Sequence, residues 1–290
     1  MSATQRITPE LKRWIVEQAT TCQSPEAVLK AMRDSGWSAD VAEQALEDTL
    51  RSHLIDRAQA LTLPPQLRVP EPLRSDGSLS IALAEGSTAA SRHVQVLTRL
   101  MNPRIVVFGG LLSALECDEL VALAGARLAR SETVESSTGG SEINEARTSE
   151  GMFFGREENP LCARIENRIA ELLRWPLDHG EGLQVLRYRP GAEYKPHYDY
   201  FDLKESGTPA LLARGGQRVA SLVIYLNTPV RGGATVFPDV ELSVTPVKGN
   251  AVFFSYDRPH PMTRSLHGGA PVIEGEKWVA TKWLRERRFE

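Results

Sequence analysis

Two histidines and one aspartate in the C-terminal half of the chain have the residue types and the spacing of metal ligands. His197 and Asp199 stand two positions apart in a strand-like segment, and side chains at such positions point to the same face of a strand. His267 follows 70 residues later, in a second strand-like segment. Two imidazoles and one carboxylate on one side of a metal, with its other positions open, are the ligands of Fe(II) sites for oxidative chemistry. The pattern therefore predicts an iron site.

A lysine ten residues after His267 predicts what binds beside the metal. Lys277 begins a further strand-like segment, and Gly275 before it supplies the backbone freedom of a hairpin turn. A turn centred there would place His267 opposite Trp283, with Lys277 about six rungs along the ladder and on the order of 20 Å away. A metal at one end and a fixed cation at the other suit 2-oxoglutarate, whose far carboxylate needs a charge-assisted partner.

His260 is the alternative for the third metal ligand. It stands between two prolines, and flanking prolines favour a loop over a barrel strand. The residue ten positions after His260 is Ala270, so no cation follows it as Lys277 follows His267. The sequence therefore favours His267.

Four segments together resemble the Fe(II)- and 2-oxoglutarate-dependent dioxygenases of the prolyl 4-hydroxylase type. The similarity extends from about Asn102 to Phe289, which is about two thirds of the chain. In combination these motifs are highly specific. The four segments are Tyr194–Asp199, Gly232–Pro238, Lys248–Phe254 and His267–Trp283.

The resemblance implies a fold and a cosubstrate. The fold is α+β, with a double-stranded β-helix, or jelly roll, and supporting helices. Fe(II) is bound by the two histidines and the aspartate, and Lys277 contacts the C5 carboxylate of 2-oxoglutarate. Tyr188 and Thr235 match further positions at this carboxylate. O2 as a cosubstrate and L-ascorbate as a reductant are implied by the resemblance alone.

Two further residues match positions near the substrate in the family. Arg147 begins a segment that resembles the one leading into the mobile substrate loop, and Trp283 resembles a residue that lines the site. A purely structural role is the alternative for Trp283 and Tyr188, because aromatic residues at strand spacing usually pack in a core. Thr235 is also a good strand residue in its own right.

Composition limits the class of protein. A chain of 290 residues with 41% hydrophobic content can bury a full core and indicates one large domain plus an appendage. The formal net charge of −3 offers no broad attraction for nucleic acid or acidic membranes. Cys22, Cys117 and Cys162 are widely spaced and odd in number, so neither a zinc site nor a disulfide framework is indicated. No signal-like or membrane-spanning apolar run occurs, so we expect a cytoplasmic protein without a membrane partner.

The chain divides into three parts by pattern. Residues 1–60 predict three helices, since Thr8 and Ser24 offer N-caps followed by proline and apolar residues recur at helical spacing. This module weakly resembles small ubiquitin-associated-like domains, and docking of a protein partner and plain stabilisation are equally favoured for it. Residues 61–95, rich in Pro, Ser and Gly, predict a linker. Residues 96–290 form the predicted dioxygenase domain.

These observations predict a dioxygenase that hydroxylates prolyl residues of a peptide or protein. One alternative is a related dioxygenase acting on a free amino acid, a lysyl side chain or a nucleobase. Relatives that repair nucleic acid usually carry arginine where Lys277 stands and are more basic. A second alternative is a non-catalytic sensing protein on the same scaffold, which the intact ligand set disfavours. Decarboxylation of 2-oxoglutarate without substrate would separate these two classes.

Overall fold

The chain forms two compact units, Met1–Pro65 and Gln66–Glu290. Each has its own buried apolar core. None of the helices in the described part of the chain has the length and apolar character that a membrane span requires. The computed structural model describes residues 7–21, 23–60, 63–72, 78–81, 92–131, 133–134, 141–142 and 148–290.

Three helices form the first unit, as the sequence predicts. The side-chain oxygens of Thr8 and Ser24 accept hydrogen bonds from backbone N–H groups in the first turn of the first two helices, and a proline opens each helix. Apolar residues of all three helices share one small core, which consists of Ile15, Val28, Met32, Ala42, Ala45 and Leu46. The helices are α1 (Pro9–Thr20), α2 (Pro25–Asp34) and α3 (Ala39–Ala60).

In its described residues, the second unit combines many short strands with three helices. Short 3-10 turns lie at Leu177–His179, Pro238–Val240 and Pro261–Thr263. In chain order the strands and helices are β1 (Ser78–Ile81), β2 (Arg92–Met101), β3 (Arg104–Gly109), α4 (Ala114–Gly125), β4 (Ala129–Arg130), β5 (Thr133–Val134), β6 (Ser141–Glu142), β7 (Glu150–Phe153), α5 (Pro160–Leu173), β8 (Gln184–Tyr188), β9 (Tyr194–His197), α6 (Thr208–Ala213), β10 (Arg218–Tyr225), β11 (Arg231–Gly232), β12 (Thr235–Phe237), β13 (Leu242–Val244), β14 (Ala251–Ser255), β15 (His267–Gly269), β16 (Val272–Glu274) and β17 (Lys277–Arg285).

Two facing antiparallel sheets make the jelly roll that the sequence predicts. The large sheet has nine strands in the order β1-β2-β3-β14-β10-β17-β8-β7-β4. The small sheet has the order β13-β12-β15-β9, with the β11-β16 pair as a separate two-stranded sheet. Apolar residues of the large sheet and of β12, β13 and β16 share one core, while α4 and α5 cover the other face of the large sheet. The double layer places consecutive segments of the chain in different sheets.

Strand β17 lies inside the large sheet, and all of its side chains are buried. Because side chains alternate along a strand, Val279 packs between the sheets whereas Trp278 packs on the helix side. Lys277 and Trp283 have the parity of Val279 and therefore point between the sheets. Lys282 has the opposite parity and points toward the helices.

The predicted linker at residues 61–95 is wrong at residues 78–81 and 92–95, which the structure describes as strands. Residues 78–81 and 92–101 are paired strands of the large sheet. Before them, Leu67 and Val69 pack on the apolar core, and the N–H of Leu67 donates to the carbonyl oxygen of Asp257 at 2.7 Å. The Pro, Ser and Gly residues around these strands favour a linker, and the alternation of apolar and polar residues within the strands was overlooked. The chain divides into its two compact units after Pro65 instead, so the second unit is longer than predicted.

The predicted hairpin between His267 and Lys277 is also wrong. His267 pairs with His197 in the small sheet, whereas Trp283 pairs with Ser221 in the large sheet. The segment between them crosses from one sheet to the other by way of β16, and Gly275 takes a positive φ of 79° at the crossing. The estimate of about 20 Å, which assumed one continuous ladder, therefore does not apply.

Candidate active site

The three predicted metal ligands converge beside the β9–β15 pair. β9 ends at His197, whose partner on β15 is His267, and Asp199 follows in the bend after β9 rather than on the strand. Oδ1 of Asp199 lies 3.5 Å from Nε2 of His197, and Oδ2 lies 3.5 Å from Nε2 of His267. One ligand atom from each residue lies within 4.8 Å of the other two. The three side chains can therefore share one ion.

Hydrogen bonds on the far side of each ring set the histidine tautomers. Nδ1 of His197 lies 2.9 Å from the carbonyl oxygen of Lys195, and Nδ1 of His267 lies 3.0 Å from that of Ser265. A carbonyl oxygen can only accept, so each Nδ1 carries a proton. A neutral ring then presents the lone pair of its Nε2 toward Asp199, as metal coordination requires.

The protonation states of Asp199 and His267 favour a bound cation between them. Burial lowers the pKa of His267 to about 4, against the opposing effect of Asp199. Burial alone would raise the pKa of Asp199, but His267 and His197 beside it hold that pKa well below its usual range. At neutral pH a carboxylate therefore faces the unprotonated Nε2 of His267, and their lone pairs repel each other. A divalent metal removes this repulsion, and the donor set with its open positions fits Fe(II).

Aromatic side chains enclose the two imidazoles. Tyr194 stacks on His197 with ring centroids 3.7 Å apart. The rings of Phe254 and Phe237 lie 4.3 and 6.1 Å from the ring of His267. These contacts restrict rotation of both rings and exclude water from one side of the cluster.

Lys277 is a buried cation in need of an anion. Only 4% of the residue is exposed, and burial lowers its pKa to about 8. Among the residues that the structure describes, no carboxylate pairs with it; its Nζ instead lies 5.4 Å from the ring centroid of Tyr188 and 5.9 Å from that of Tyr225. A carboxylate ligand would supply the missing charge partner, so the position fits the far end of 2-oxoglutarate.

Two glycines leave room for the Lys277 side chain. A Cβ at Gly233 would lie 3.2 Å from its Cδ, and one at Gly269 would lie 3.7 Å from its Nζ. Gly269 is only two residues beyond His267 on β15, so the ammonium lies on the order of 10 Å from that metal ligand. This separation suits the five-carbon backbone of 2-oxoglutarate better than the distance expected from a hairpin.

The predicted cosubstrate residues Tyr188 and Thr235 lie next to Lys277 and Gly269. Tyr188 is the direct partner of Lys277 across β8 and β17. Thr235 is the partner of Gly269, and its Oγ1 accepts a hydrogen bond of 2.8 Å from the hydroxyl of Tyr225. Tyr225, which the sequence pattern did not indicate, lies beside the same residues.

Trp283 lies beside Arg218, which the sequence pattern did not indicate either. The guanidinium of Arg218 lies 4.0 Å from the centroid of the indole, and Glu181 holds that guanidinium with hydrogen bonds of 2.7 and 2.9 Å. Phe153, half exposed on β7, lies 6.3 Å from the indole ring. Trp283, Arg218 and Phe153 thus form an aromatic and cationic wall next to Ser221, which contacts Asp199.

The structure does not place the remaining residues considered from the sequence in the site. Arg147 lies outside the described residues, so its role near the substrate stays a prediction. His260 caps a 3-10 turn, where its Nδ1 accepts from the N–H of Met262. Cys22 also lies outside the described residues, whereas Cys117 and Cys162 are buried and free.

The comparisons with known proteins agree with this geometry. A family model described as the 2OG-Fe(II) oxygenase superfamily matches residues 183–285, a range that includes both histidines, Asp199 and Lys277. "Probable prolyl 4-hydroxylase 4" of Arabidopsis thaliana is 40% identical over 234 residues, which cover 73% of this chain and 77% of that protein. "Prolyl 4-hydroxylase 2" of the same plant is 39% identical over 213 residues, which cover 65% and 69%.

A solved structure gives a further comparison. The viral collagen prolyl hydroxylase of Paramecium bursaria Chlorella virus-1, in its 2OG complex, has a TM-score of 0.48 and 30% identity, over 62% of this chain and 95% of that chain. The family predicted from the sequence motifs is confirmed by the identity to the Arabidopsis proteins and by their coverage. The chain belongs to the 2OG-Fe(II) oxygenase superfamily and is of the prolyl 4-hydroxylase type.

Proposed function

We propose that this oxygenase hydroxylates prolyl residues of a peptide or protein at carbon 4. Fe(II) is held by His197, Asp199 and His267, and Lys277 pairs with the C5 carboxylate of 2-oxoglutarate. The observation that carries the proposal is the buried Lys277 ammonium, without a carboxylate partner among the described residues, close to three convergent metal-binding side chains. The names of the Arabidopsis relatives support a prolyl substrate.

Bound Fe(II) supplies the oxidising chemistry that couples conversion of 2-oxoglutarate and O2 to succinate and CO2 with hydroxylation of a substrate C–H bond. The side chains hold and shield the reacting groups. Protonated Nδ1 atoms keep the Nε2 atoms of His197 and His267 turned toward Asp199. Lys277 fixes the far end of 2-oxoglutarate, and Phe254 keeps water from the His267 side. No side chain is required as a general base.

The wall at Trp283 supports a peptide substrate. The half-exposed ring of Phe153 offers apolar surface for a pyrrolidine ring, and the buried indole of Trp283 lies 6.3 Å from it. The Arg218 guanidinium beside them can donate to a peptide carbonyl.

We further propose a reductant, a location in the cell and a role for the first unit. L-Ascorbate serves as the reductant that rescues oxidised iron, by the family resemblance alone. The protein acts in the cytoplasm. The three helices of the first unit dock a protein partner or substrate. Measuring the ascorbate requirement of the purified enzyme tests the first of these, and fractionating cells of the source organism tests the second.

The proposal is tested with a proline-rich peptide and a matched peptide in which alanine replaces proline. We expect the purified enzyme, with Fe(II), 2-oxoglutarate and O2, to add one oxygen atom to the first peptide and none to the second. Oxidation of a lysyl residue or of a nucleotide, with the proline peptide untouched, would support the related dioxygenase instead. Absence of 2-oxoglutarate decarboxylation under every condition would support a non-catalytic protein.

Two histidine variants assign the metal ligands in the same assay. His267→Ala should abolish turnover and weaken iron binding, with losses beyond the roughly 10–100-fold typical of residues that only support a ligand. His260→Ala is the matched control and should retain activity. Retained activity in His267→Ala with loss in His260→Ala would contradict the assignment.

A further inference from the structure

A buried pair of hydroxyl groups ends on the Asp199 carboxylate. Oγ of Ser221 donates to Oδ2 of Asp199 at 2.5 Å, and the hydroxyl of Tyr256 lies 3.0 Å from the same Oγ. Ser221 and Tyr256 are 0% and 1% exposed. Burying a hydroxyl group costs free energy unless the group is hydrogen-bonded. Ser221 and Tyr256 therefore depend on these two hydrogen bonds.

The direction of these two hydrogen bonds follows from the number of hydroxyl protons available. Ser221 has one hydroxyl proton, and the ionised carboxylate can only accept it. Oγ of Ser221 must therefore accept at its second contact, and the hydroxyl of Tyr256 must donate. Burial raises the pKa of Tyr256 well above its ordinary value, with Asp199 adding to the effect, so the phenol keeps its proton. Tyr256 thus donates to Ser221, and Ser221 donates to Asp199.

Both hydroxyls belong to residues on or next to interior strands of the large sheet. Ser221 pairs with Phe254 on β14 and with Trp283 on β17, so it lies on an interior strand. Tyr256 follows directly after β14, and its backbone N–H donates to the carbonyl oxygen of Val219 at 3.0 Å. A hydrogen bond from such a rigid support holds the orientation of its acceptor closely.

We infer that Ser221 and Tyr256 are positioning residues for the Asp199 carboxylate. Asp199 lies in a bend outside β9, where backbone pairing does not fix its side chain. The bond from Ser221 to Oδ2 fixes the rotation of the carboxylate, so that its oxygens keep their 3.5 Å distances to both Nε2 atoms. Tyr256 acts only through Ser221. The inference rests on the proposed metal site, toward which these residues orient a ligand.

Cobalt affinity of the metal-free full chain tests this inference without turnover. Co(II) alone is titrated into the wild type, Ser221→Ala, Ser221→Thr, Tyr256→Phe and the Ser221→Ala/Tyr256→Phe double variant. Ser221→Ala should weaken Co(II) binding about 10–100-fold, the usual effect of losing a partner of a ligand. Tyr256→Phe should weaken it less, and Ser221→Thr should retain the wild-type affinity because it keeps the hydroxyl.

The double variant separates positioning from a general structural effect. Because Tyr256 acts through Ser221, the double variant should bind Co(II) no more weakly than Ser221→Ala. If the losses of Co(II) affinity in Ser221→Ala and Tyr256→Phe add in the double variant, Tyr256 does not act through Ser221. Wild-type Co(II) affinity in both single variants would also contradict the inference. The conservative Tyr256→Phe and Ser221→Thr changes keep the test decisive if Ser221→Ala unfolds.

Two controls identify the source of any failure. Tyr200→Phe removes a hydroxyl from a neighbouring tyrosine, whose ring lies 6.1 Å from that of Tyr256, and should leave Co(II) affinity unchanged. His267→Ala should lose Co(II) binding. If His267→Ala binds as tightly as the wild type, the proposed metal site fails; if it loses binding while Ser221→Ala and Tyr256→Phe bind normally, only the positioning role fails.

Discussion

Lys277 and Tyr188 face each other across β17 and β8, and Nζ of Lys277 lies 5.4 Å from the centroid of the Tyr188 ring. The same ammonium lies close to Gly269, two residues beyond His267 on the opposite sheet. One side chain of the large sheet thus approaches the metal ligands of the small sheet across the interior. A cosubstrate that binds both the iron and the ammonium would connect the two sheets.

Replacing Lys277 should impair cosubstrate binding without affecting the metal. Lys277→Ala leaves a partly buried carboxylate without its cation, a loss on the order of a few kcal/mol. We expect the KM for 2-oxoglutarate to rise about 100-fold or more, with Co(II) affinity within about twofold of the wild type. Lys277→Arg should recover only part of the loss, because the guanidinium is wider than the ammonium. An unchanged KM in Lys277→Ala would place the carboxylate elsewhere.

The affinity for 2-oxoglutarate should depend on pH through Lys277. Burial lowers the pKa of this ammonium to about 8, so the charged form that binds a carboxylate is lost as the pH rises above that value. We expect constant affinity below pH 8 and a fall approaching about tenfold per pH unit above it. Binding measured by calorimetry checks this, with Lys277→Arg as the control whose weaker affinity should not vary up to pH 10. Equal pH dependence in both proteins would contradict the role of Lys277.

The same pKa predicts how stability changes with pH in the absence of cosubstrate. Between pH 8 and the ordinary lysine pKa of about 10.4, the unfolded chain holds a proton that the folded chain has released. Lys277 therefore opposes folding fully below pH 8, and this cost of about 3 kcal/mol is relieved as the pH rises through that window. The free energy of unfolding of Lys277→Met should exceed that of the wild type at pH 7 and approach it near pH 10.

A second buried lysine on β17 should affect stability alone. Lys282 points to the helix side and forms a buried ion pair with Glu166 of α5. Lys282→Met leaves the Glu166 carboxylate unpaired, and we expect a loss of about 3–5 kcal/mol in the free energy of unfolding. The KM for 2-oxoglutarate of the folded variant should stay at the wild-type value. A raised KM would mean that Lys282, not only Lys277, binds the cosubstrate.

The boundary at Pro65 predicts which truncation retains activity. A chain that begins at Gln66 keeps Leu67 and Val69 on the core and keeps β1 and β2. It should fold and decarboxylate 2-oxoglutarate, whereas a chain that begins at Ser91 loses Leu67, Val69 and β1 and should be less stable. If the three helices dock a protein substrate, the Gln66 truncation should keep activity on short peptides and lose it on the full-length substrate. Equal activity on both would favour a stabilising role.

The metal ligands could be predicted from the sequence because their residue types and spacing are those of a metal site. Ligand types and the two-residue spacing of His197 and Asp199 are local properties, and the structure brings both together with His267. The position of Lys277 relative to His267 was not predictable from their ten-residue spacing, because spacing does not reveal that the chain changes sheets. Ser221 could have been noticed in the sequence, because it is a small polar residue among apolar neighbours in a strand. Such a residue is buried only with a hydrogen-bond partner.

The most direct test of prolyl hydroxylation at this site is the ratio of products formed by the wild-type enzyme. A proline-rich peptide is incubated with Fe(II), 2-oxoglutarate and O2, and 4-hydroxyproline and succinate are quantified in the same sample. Equal amounts of the two products are expected from the wild type, and neither from Asp199→Ala. Succinate formation that does not respond to the peptide, with no 4-hydroxyproline in the hydrolysate, would contradict prolyl 4-hydroxylation by this chain.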